Sequence, residues 1–131
     1  MKAIKITYWT TTSIVALMMI YSTYAYLTQA AVAQGFTHLG FPSYFRVELA
    51  IAKLIGGIIL LTPLNSRIKE WAYAGFAITF LSAFIAHTAS GDAVAMRIMP
   101  LMFLVILAVS YYTWLRKESL SLGELVTSKL N

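Results

Sequence analysis

The chain alternates long apolar stretches with short polar connections. Apolar or aromatic residues dominate four stretches, at positions 7–29, 43–62, 70–90 and 97–115. A helix rises about 1.5 Å per residue, so about 20 residues cross a hydrocarbon core roughly 30 Å thick. Transmembrane β-strands would alternate polar and apolar residues over about 10 positions, and these stretches do not. The pattern therefore predicts four membrane-spanning helices.

Short connections between helices of similar length favour antiparallel neighbours. We therefore predict an all-α integral membrane protein whose residues 1–115 form a four-helix transmembrane bundle in up-down-up-down order. The connection at 30–42 is expected to be a loop. Residues 116–131 are polar with scattered leucines, and we expect them to form a short, frayed cytoplasmic tail.

Basic residues flank the apolar stretches and predict the orientation, because cytoplasmic segments carry an excess of Lys and Arg. One side carries seven of them, namely Lys2, Lys5, Arg67, Lys69, Arg116, Lys117 and Lys129. The other side carries two, Arg46 and Arg97. We therefore expect both termini and the 63–70 loop in the cytoplasm, and the 30–42 and 91–96 loops outside. This is the arrangement of a multi-pass membrane protein.

The first apolar stretch also has a second interpretation. Lys2 and Lys5 precede apolar residues, and Ala-Val-Ala at 31–33 resembles the cleavage site of a signal peptide. However, the region between them is longer than a signal peptide needs and contains several Tyr and Thr residues. We favour an uncleaved span, with cleavage as the alternative.

Composition narrows the class of protein further. The 131 residues are 60% apolar and only 11% charged, whereas soluble domains are about a quarter charged. The chain lacks cysteine, which excludes disulfides and thiolate chemistry. Although the net charge is +5, the basic residues border apolar stretches and form no patch. We therefore expect the lipid bilayer, and not a nucleic acid, as the main partner.

The sequence offers few ligands for a metal or a haem. A catalytic zinc or di-iron site needs three or more His, Asp, Glu or Cys side chains, and no Glu-x-x-His pair is present. The two histidines are His38 and His87, and His38 is expected in a loop, so axial ligation of a haem by both is not expected. Phosphate-binding and nucleophile-elbow motifs are absent. We therefore predict no metal site and no evident cofactor.

The second apolar stretch contains charged residues that the membrane alone does not explain. Arg46 and Glu48 lie near its outer end, and Lys53 lies about 15 Å along the helix, near mid-bilayer. A lysine at that depth costs about 2.5–3.5 kcal/mol on insertion scales. Most of its neighbours one turn away are small, which predicts that Lys53 faces the interior of the bundle.

The outer half of the bundle collects the candidate ligand-binding residues. They are Glu48, Lys53, His87, Tyr24, Asp92 and Arg97. Apart from Glu70 at the first position of the third stretch, Glu48 is the only acid within a span, so we expect it to pair with Lys53. Two interpretations stay open: an outward-facing pocket that binds a ligand or handles protons, and a structural polar network that fixes helix register.

The middle of the chain contains several short motifs. They are Leu-Gly-Phe-Pro at 39–42, Lys53 ahead of a glycine, Pro63, Lys-Glu-Trp-Ala-Tyr-Ala-Gly-Phe at 69–76, and His87 followed by Gly91-Asp92. In these motifs the chain resembles the DoxX-like family of small four-span bacterial membrane proteins. The resemblance covers about residues 38–92 and implies a four-helix, multi-pass bundle in the bacterial inner (plasma) membrane. Relatives in this family are associated with thiosulfate:quinone oxidoreductases and with quinone or oxidative-stress responses, so the resemblance also implies a link to quinones.

Two functions follow as expectations. The first is a small-molecule or quinone-linked redox accessory that uses the outward-facing polar pocket. The alternative is a non-enzymatic membrane scaffold or partner subunit, whose small residues pack against another membrane protein or a second copy. These residues recur on the third stretch, as Gly75, Thr79, Ser82 and Ala86. In neither case do we expect the chain to be an enzyme on its own.

Overall fold

The computed structural model describes residues 2–131 and shows an all-α fold, as the hydropathy pattern predicts. The helices are α1 (Lys2–Thr28), α2 (Ala30–His38), α3 (Ser43–Leu61), α4 (Ser66–Ala89) and α5 (Val94–Leu130). Over the described range no segment forms a β-strand. Four helices are long and pack side by side, and α2 is a short helix at one end of them.

Each long helix packs against two others, in the order α1, α3, α4, α5 and back to α1. Bonds between helices show that neighbours run in opposite directions. Thr23 of α1 donates to the carbonyl of Ala50 on α3 (2.9 Å), and Arg46, one turn earlier on α3, donates to the carbonyl of Tyr26, later on α1. We call the end with α2 and the α4–α5 turn the α2 end, and the end with the start of α1 the terminal end.

Three helices, α1, α4 and α5, are long and apolar enough to cross a membrane by length and composition. The remaining long helix, α3, has 19 residues, and three of them are charged. Large apolar side chains cover the outside of the molecule, with Ile78 and Val105 about two-thirds exposed (64% and 63%). An apolar surface of this extent suits lipid and not water. The fold is therefore typical of a membrane protein.

The middle of the bundle is closed by apolar side chains from all four long helices. They are Val15, Ala16, Met19, Leu60, Phe76, Phe80 and Leu107. At this level α3 approaches its neighbours closely at two glycines. A Cβ on Gly56 would lie 2.6 Å from Cζ of Phe76, and a Cβ on Gly57 would lie 3.1 Å from the carbonyl oxygen of Ala16. The glycines thus let α4 and α1 pack tightly against α3.

The prediction of a loop between the first two spans is wrong, because this connection contains α2. The segment is rich in alanine, the strongest helix former, and it ends in a Schellman motif. Gly40 has a φ of 86°, and its N–H donates to the carbonyl of Thr37. The N–H of Phe41 donates to the carbonyl of Phe36. With nine residues, α2 is too short to cross a membrane.

The carboxyl end also differs from the expected frayed tail. Helix α5 continues to Leu130 and has 37 residues, a length of about 55 Å. Residues 116–130 therefore extend the last long helix beyond the bundle, with most of their surface exposed. The segment contains Leu, Glu and Lys, which are good helix formers. An established helix extends into such residues at little cost, since only nucleation is unfavourable.

Candidate functional site

Lys53 lies on the face of α3 that meets α1, and it is only 6% exposed. Its Nζ donates to the hydroxyl of Tyr26 (2.6 Å) and to the hydroxyl of Ser22 (3.1 Å). Both acceptors lie on α1, one turn apart, so they share a face of that helix. The ammonium also lies 3.9 Å from the centre of the Tyr26 ring, within the range of a cation–π contact. The prediction that Lys53 faces protein is confirmed.

Tyr26 is held in place from two further directions. Its carbonyl accepts a hydrogen bond from the guanidinium of Arg46 on α3. Its ring meets the ring of Phe36 edge-on, with centroids 4.9 Å apart. Phe36 belongs to α2, is buried, and also contacts the rings of Phe41 and Phe45. The short helix α2 therefore helps to set the position of the phenol that binds the lysine.

Two of the candidate residues lie away from this site. Glu48 is exposed and forms no ion pair in the described part of the chain. It precedes Lys53 by five positions and so points to another side of α3. Tyr24 is 60% exposed, and its ring contacts that of Tyr21. The structure does not form the expected Glu48–Lys53 pair, because the ammonium is satisfied by hydroxyl groups of α1 instead.

Two other candidates, His87 and Asp92, lie together at the α2 end. Nδ1 of His87 is 2.6 Å from Oδ2 of Asp92, and Nε2 of His38 is 2.7 Å from Oδ1 of the same carboxylate. Helix α4 ends in a Schellman motif, in which Gly91 has a φ of 69° and the N–H of Asp92 donates to the carbonyl of His87. This turn brings the carboxylate beside the His87 ring.

Hydrogen bonds hold the pKa of the Asp92 carboxyl below its usual value. The bond from His87 has the larger effect, and the bond from His38 adds to it. Bonds donated to a carboxylate stabilise its charged form. A neutral imidazole can donate one such bond, and a protonated imidazole adds a positive charge. The two imidazoles therefore favour the ionised form of Asp92. We call His38, Asp92 and His87 the His–Asp–His cluster.

The last candidate, Arg97, joins neither group. It lies on α5, about one turn after Ala93 at the start of that helix, and it is half-buried. Its Nε is buried without a hydrogen-bond partner among residues 2–131, and its guanidinium forms no ion pair there. The structure thus divides the six candidates between a Lys53 site, a His–Asp–His cluster, and three side chains that belong to neither.

A groove of about 380 Å³ lies between α3 and α4, and Lys53 forms part of its wall. The other lining residues are almost all apolar or small, and they are Leu49, Ala52, Ile55, Gly56, Ile59, Ile68, Trp71, Ala72, Gly75, Phe76 and Thr79. The groove is open along its side. Its mostly apolar lining suits contact with lipid and not with water.

A second polar network, which sequence reasoning missed, lies toward the terminal end. Lys69 is buried in the first turn of α4, and its Nζ donates to the hydroxyl of Tyr8 (3.0 Å). The hydroxyl of Ser110 bonds to those of Thr12 (2.6 Å) and Tyr73 (2.7 Å). The sequence places Lys69 in a loop, and isolated hydroxyls on apolar helices carry no signal of their partners. His38 is not among the candidate residues because the connection at 30–42 is predicted to be a loop. Gly40 was the one sign in the sequence that a helix ends next to His38.

No three His, Asp or Glu side chains of residues 2–131, including those of the His–Asp–His cluster, are arranged so that they could hold a metal ion. The model of the DoxX-like family matches residues 10–110. No curated protein and no solved structure matches the chain. The matched range contains the Lys53 site and the whole His–Asp–His cluster, and it ends before the helical extension of α5.

Proposed function

This chain belongs to the DoxX-like family, and we propose that it is a four-span protein of the bacterial inner membrane that binds a lipid-soluble small molecule. The ligand we propose is a quinone, and the role is that of an accessory to a redox partner. The observation that carries this proposal is that Lys53, which is buried in the bundle, is also one of the residues that line an open, mostly apolar groove.

The four spans are α1, α3, α4 and α5. Helix α3 is long enough, since 19 residues correspond to about 28 Å. Its charges are also tolerable, because Lys53 is enclosed by protein while Arg46 and Glu48 lie near the end of the helix. The helix packs between α1 and α4, both apolar enough to cross a membrane. The excess of Lys and Arg at the terminal end supports cytoplasmic termini.

The Lys53 site suits a neutral or anionic oxygen acceptor. The ammonium bonds only to hydroxyls, so its positive charge is not neutralised by a carboxylate in the described chain. A quinone carries carbonyl oxygens on a ring and a long apolar tail. The carbonyl would accept from Nζ of Lys53, and the tail would lie along the apolar groove. A bound quinone would supply the electron-accepting chemistry, while the chain's own groups orient its head.

Binding of a short-chain quinone to the purified protein in detergent tests this proposal. We expect Lys53→Met to weaken binding about tenfold or more, the factor for loss of one hydrogen bond from a charged group. Lys69→Met is the matched control, because Lys69 is equally buried (6% exposed) but does not line the groove. It should leave the affinity unchanged. Equal affinity of Lys53→Met and the parent protein would refute the proposed site.

A scaffold or partner subunit is the second candidate, and the exposed residues of α4 along the open side of the groove favour it. No atom lies within 4 Å of a Cβ built on Gly75, and Trp71, one turn earlier, is 81% exposed. Small and aromatic residues on an exposed helix face suit close packing of another helix. Native mass spectrometry separates the two candidates. A bound quinone or lipid-like ligand supports the first, and a stoichiometric protein partner or second copy supports the second.

A further inference from the structure

Helix α2 is attached unevenly to the rest of the molecule. Among the helices it packs only against α1 and α3. Its side-chain bond to the other half of the bundle comes from His38, whose Nε2 lies 2.7 Å from Oδ1 of Asp92 in the α4–α5 turn. The carboxylate is in turn fixed by His87 at the end of α4. One hydrogen bond therefore closes α2 across the α2 end of the bundle.

The same short helix carries the ring that positions the Lys53 site. Phe36 is buried (8% exposed) and meets the Tyr26 ring edge-on. The hydroxyl of Tyr26 in turn accepts from Nζ of Lys53 at 2.6 Å. Phe36 and His38 are two residues apart on a helix of nine residues, so they move together. A movement of α2 that breaks the His38–Asp92 bond is therefore transmitted to Lys53 through two contacts, that of Phe36 with Tyr26 and that of Tyr26 with Lys53.

We propose that α2 is a lid over the Lys53 site and that the bond between His38 and Asp92 is its latch. The proposal rests on the function proposed above, because it concerns access to the same site. With the latch closed, Phe36 holds Tyr26 against the lysine. With the latch open, α2 swings away from the α4–α5 turn and Tyr26 is released. In this arrangement the lipid-soluble ligand enters through the groove between α3 and α4. The lid controls the access of water and protons to Lys53 from the α2 end.

The surroundings of the latch show what opens it. Both carboxylate oxygens of Asp92 are engaged, one by each imidazole. The other charged side chains at this end form no ion pair with the cluster in the described residues; they are Arg46 and Glu48 on α3 and Arg97 on α5. Protonation of an imidazole strengthens its bond, since charge-assisted bonds are stronger. Protonation of the carboxyl, or removal of His38, opens the latch.

The absence of cysteine from the chain allows a direct test. Ser22→Cys places a thiol beside Lys53 with little change in size. Its rate of modification by a small charged thiol reagent, in detergent solution at constant pH, measures how open the site is. We expect His38→Ala, a change at an exposed side chain, to raise this rate about tenfold, as for loss of one bond to a charged group. Asp92→Ala should raise the rate at least as much.

Two controls separate a lid from general loosening. Thr37→Ala alters the exposed neighbour of His38 on α2 and leaves the latch intact, so the rate at Ser22→Cys should not change. Ser110→Cys reports on the fully buried network of the terminal end, and His38→Ala should leave its rate unchanged. An unchanged rate at Ser22→Cys in both latch variants, or an equal increase at Ser110→Cys, would overturn the lid.

The lid and the ligand can fail separately in these measurements. If the latch variants leave labelling unchanged while Lys53→Met loses quinone binding, the lid is wrong and the proposed function stands. If the latch variants raise labelling at Ser22→Cys while Lys53→Met binds quinone like the parent protein, the lid stands and the ligand assignment is wrong.

Discussion

At the scale of single residues, the buried lysine has an unusual set of partners. A charged side chain inside a membrane protein normally pairs with an opposite charge or with backbone carbonyls. Here two hydroxyls of α1 and the face of one phenol ring surround the ammonium of Lys53. Neutral acceptors stabilise the charge without cancelling it. The proposal that the site binds an oxygen of a ligand rests on this uncancelled charge.

A double-mutant cycle measures which neighbour Lys53 depends on. We expect Lys53→Met and Tyr26→Phe to be coupled by about 0.5–3 kcal/mol, because they share a hydrogen bond of 2.6 Å. Lys53→Met and Glu48→Gln should be additive within about 0.5 kcal/mol, because Glu48 is exposed and unpaired in the described chain. Thermal unfolding in detergent, followed by circular dichroism, gives both values. Strong coupling to Glu48 with none to Tyr26 would contradict the arrangement of the site.

Asp92 makes the stability of the α2 end depend on pH. The pKa of its carboxyl is lower in the folded chain, because His87 and His38 donate to it. These bonds therefore add stability above the ordinary range of an aspartate, near pH 4, and the gain is lost as the pH falls through the lowered pKa. We expect the parent protein to unfold at a higher temperature than Asp92→Asn at neutral pH.

The difference should not shrink between pH 7 and about pH 5, and it should vanish at more acidic pH. Glu124→Gln is the control, since Glu124 is exposed on the extension of α5. It should show no such dependence. A gap between the parent and Asp92→Asn that persists undiminished at strongly acidic pH would be inconsistent with the bonds to the two histidines.

At the scale of helices, close approach and helix termination both depend on glycine, but for different reasons. Gly40 and Gly91 end α2 and α4 with a positive φ, which residues with a Cβ rarely adopt. Gly56 lies in the middle of α3 and makes room for the ring of Phe76 on α4. Gly40 and Gly91 thus position the two halves of the proposed latch, and Gly56 sets the spacing of α3 and α4 around the groove.

The spacing of α3 and α4 can be tested by adding one methyl group. We expect Gly56→Ala to lower stability by about 1–3 kcal/mol, because its Cβ would lie 2.6 Å from the Phe76 ring. Gly75→Ala is the matched control on α4, where no atom lies within 4 Å of the new Cβ. It should be neutral or slightly stabilising, since alanine favours helix. Phe76→Leu should restore part of the loss in the Gly56→Ala background. Equal effects of the two glycine substitutions would argue against tight packing here.

At the scale of the whole molecule, the orientation of the bundle follows from charge. The terminal end carries seven basic residues of the flanking segments and the α2 end carries two. This asymmetry predicts that the terminal end is cytoplasmic. A reporter active only in the cytoplasm should therefore work when fused after Asn131. A reporter active only outside should work when inserted in the turn at 39–42, between α2 and α3. The reverse pattern would invert the topology, and with it the side from which the lid opens.

Features that depend on composition over a whole helix could be predicted from the sequence. The length of the apolar stretches predicts the long helices, because about 20 residues match the membrane thickness. The burial of Lys53 could also be predicted, since a charge at mid-membrane is expensive and its neighbours one turn away are mostly small. The missed helix α2 was within reach as well, because Gly40 follows an alanine-rich segment. These signals are local, and each is carried by residues within a few turns of one another.

The sequence alone therefore determined that the chain is helical, that it suits a membrane, and that Lys53 must be enclosed by protein. Only the tertiary structure decided what encloses it. The hydroxyl of Tyr26 lies 27 residues away in the chain, and His38 lies 54 residues from Asp92. Contacts over such separations depend on how each helix is rotated about its axis, and a shift of one residue turns a side chain by about 100°. Glu48 is the nearest acid to Lys53 along the chain, but the rotation of α3 points it to the surface.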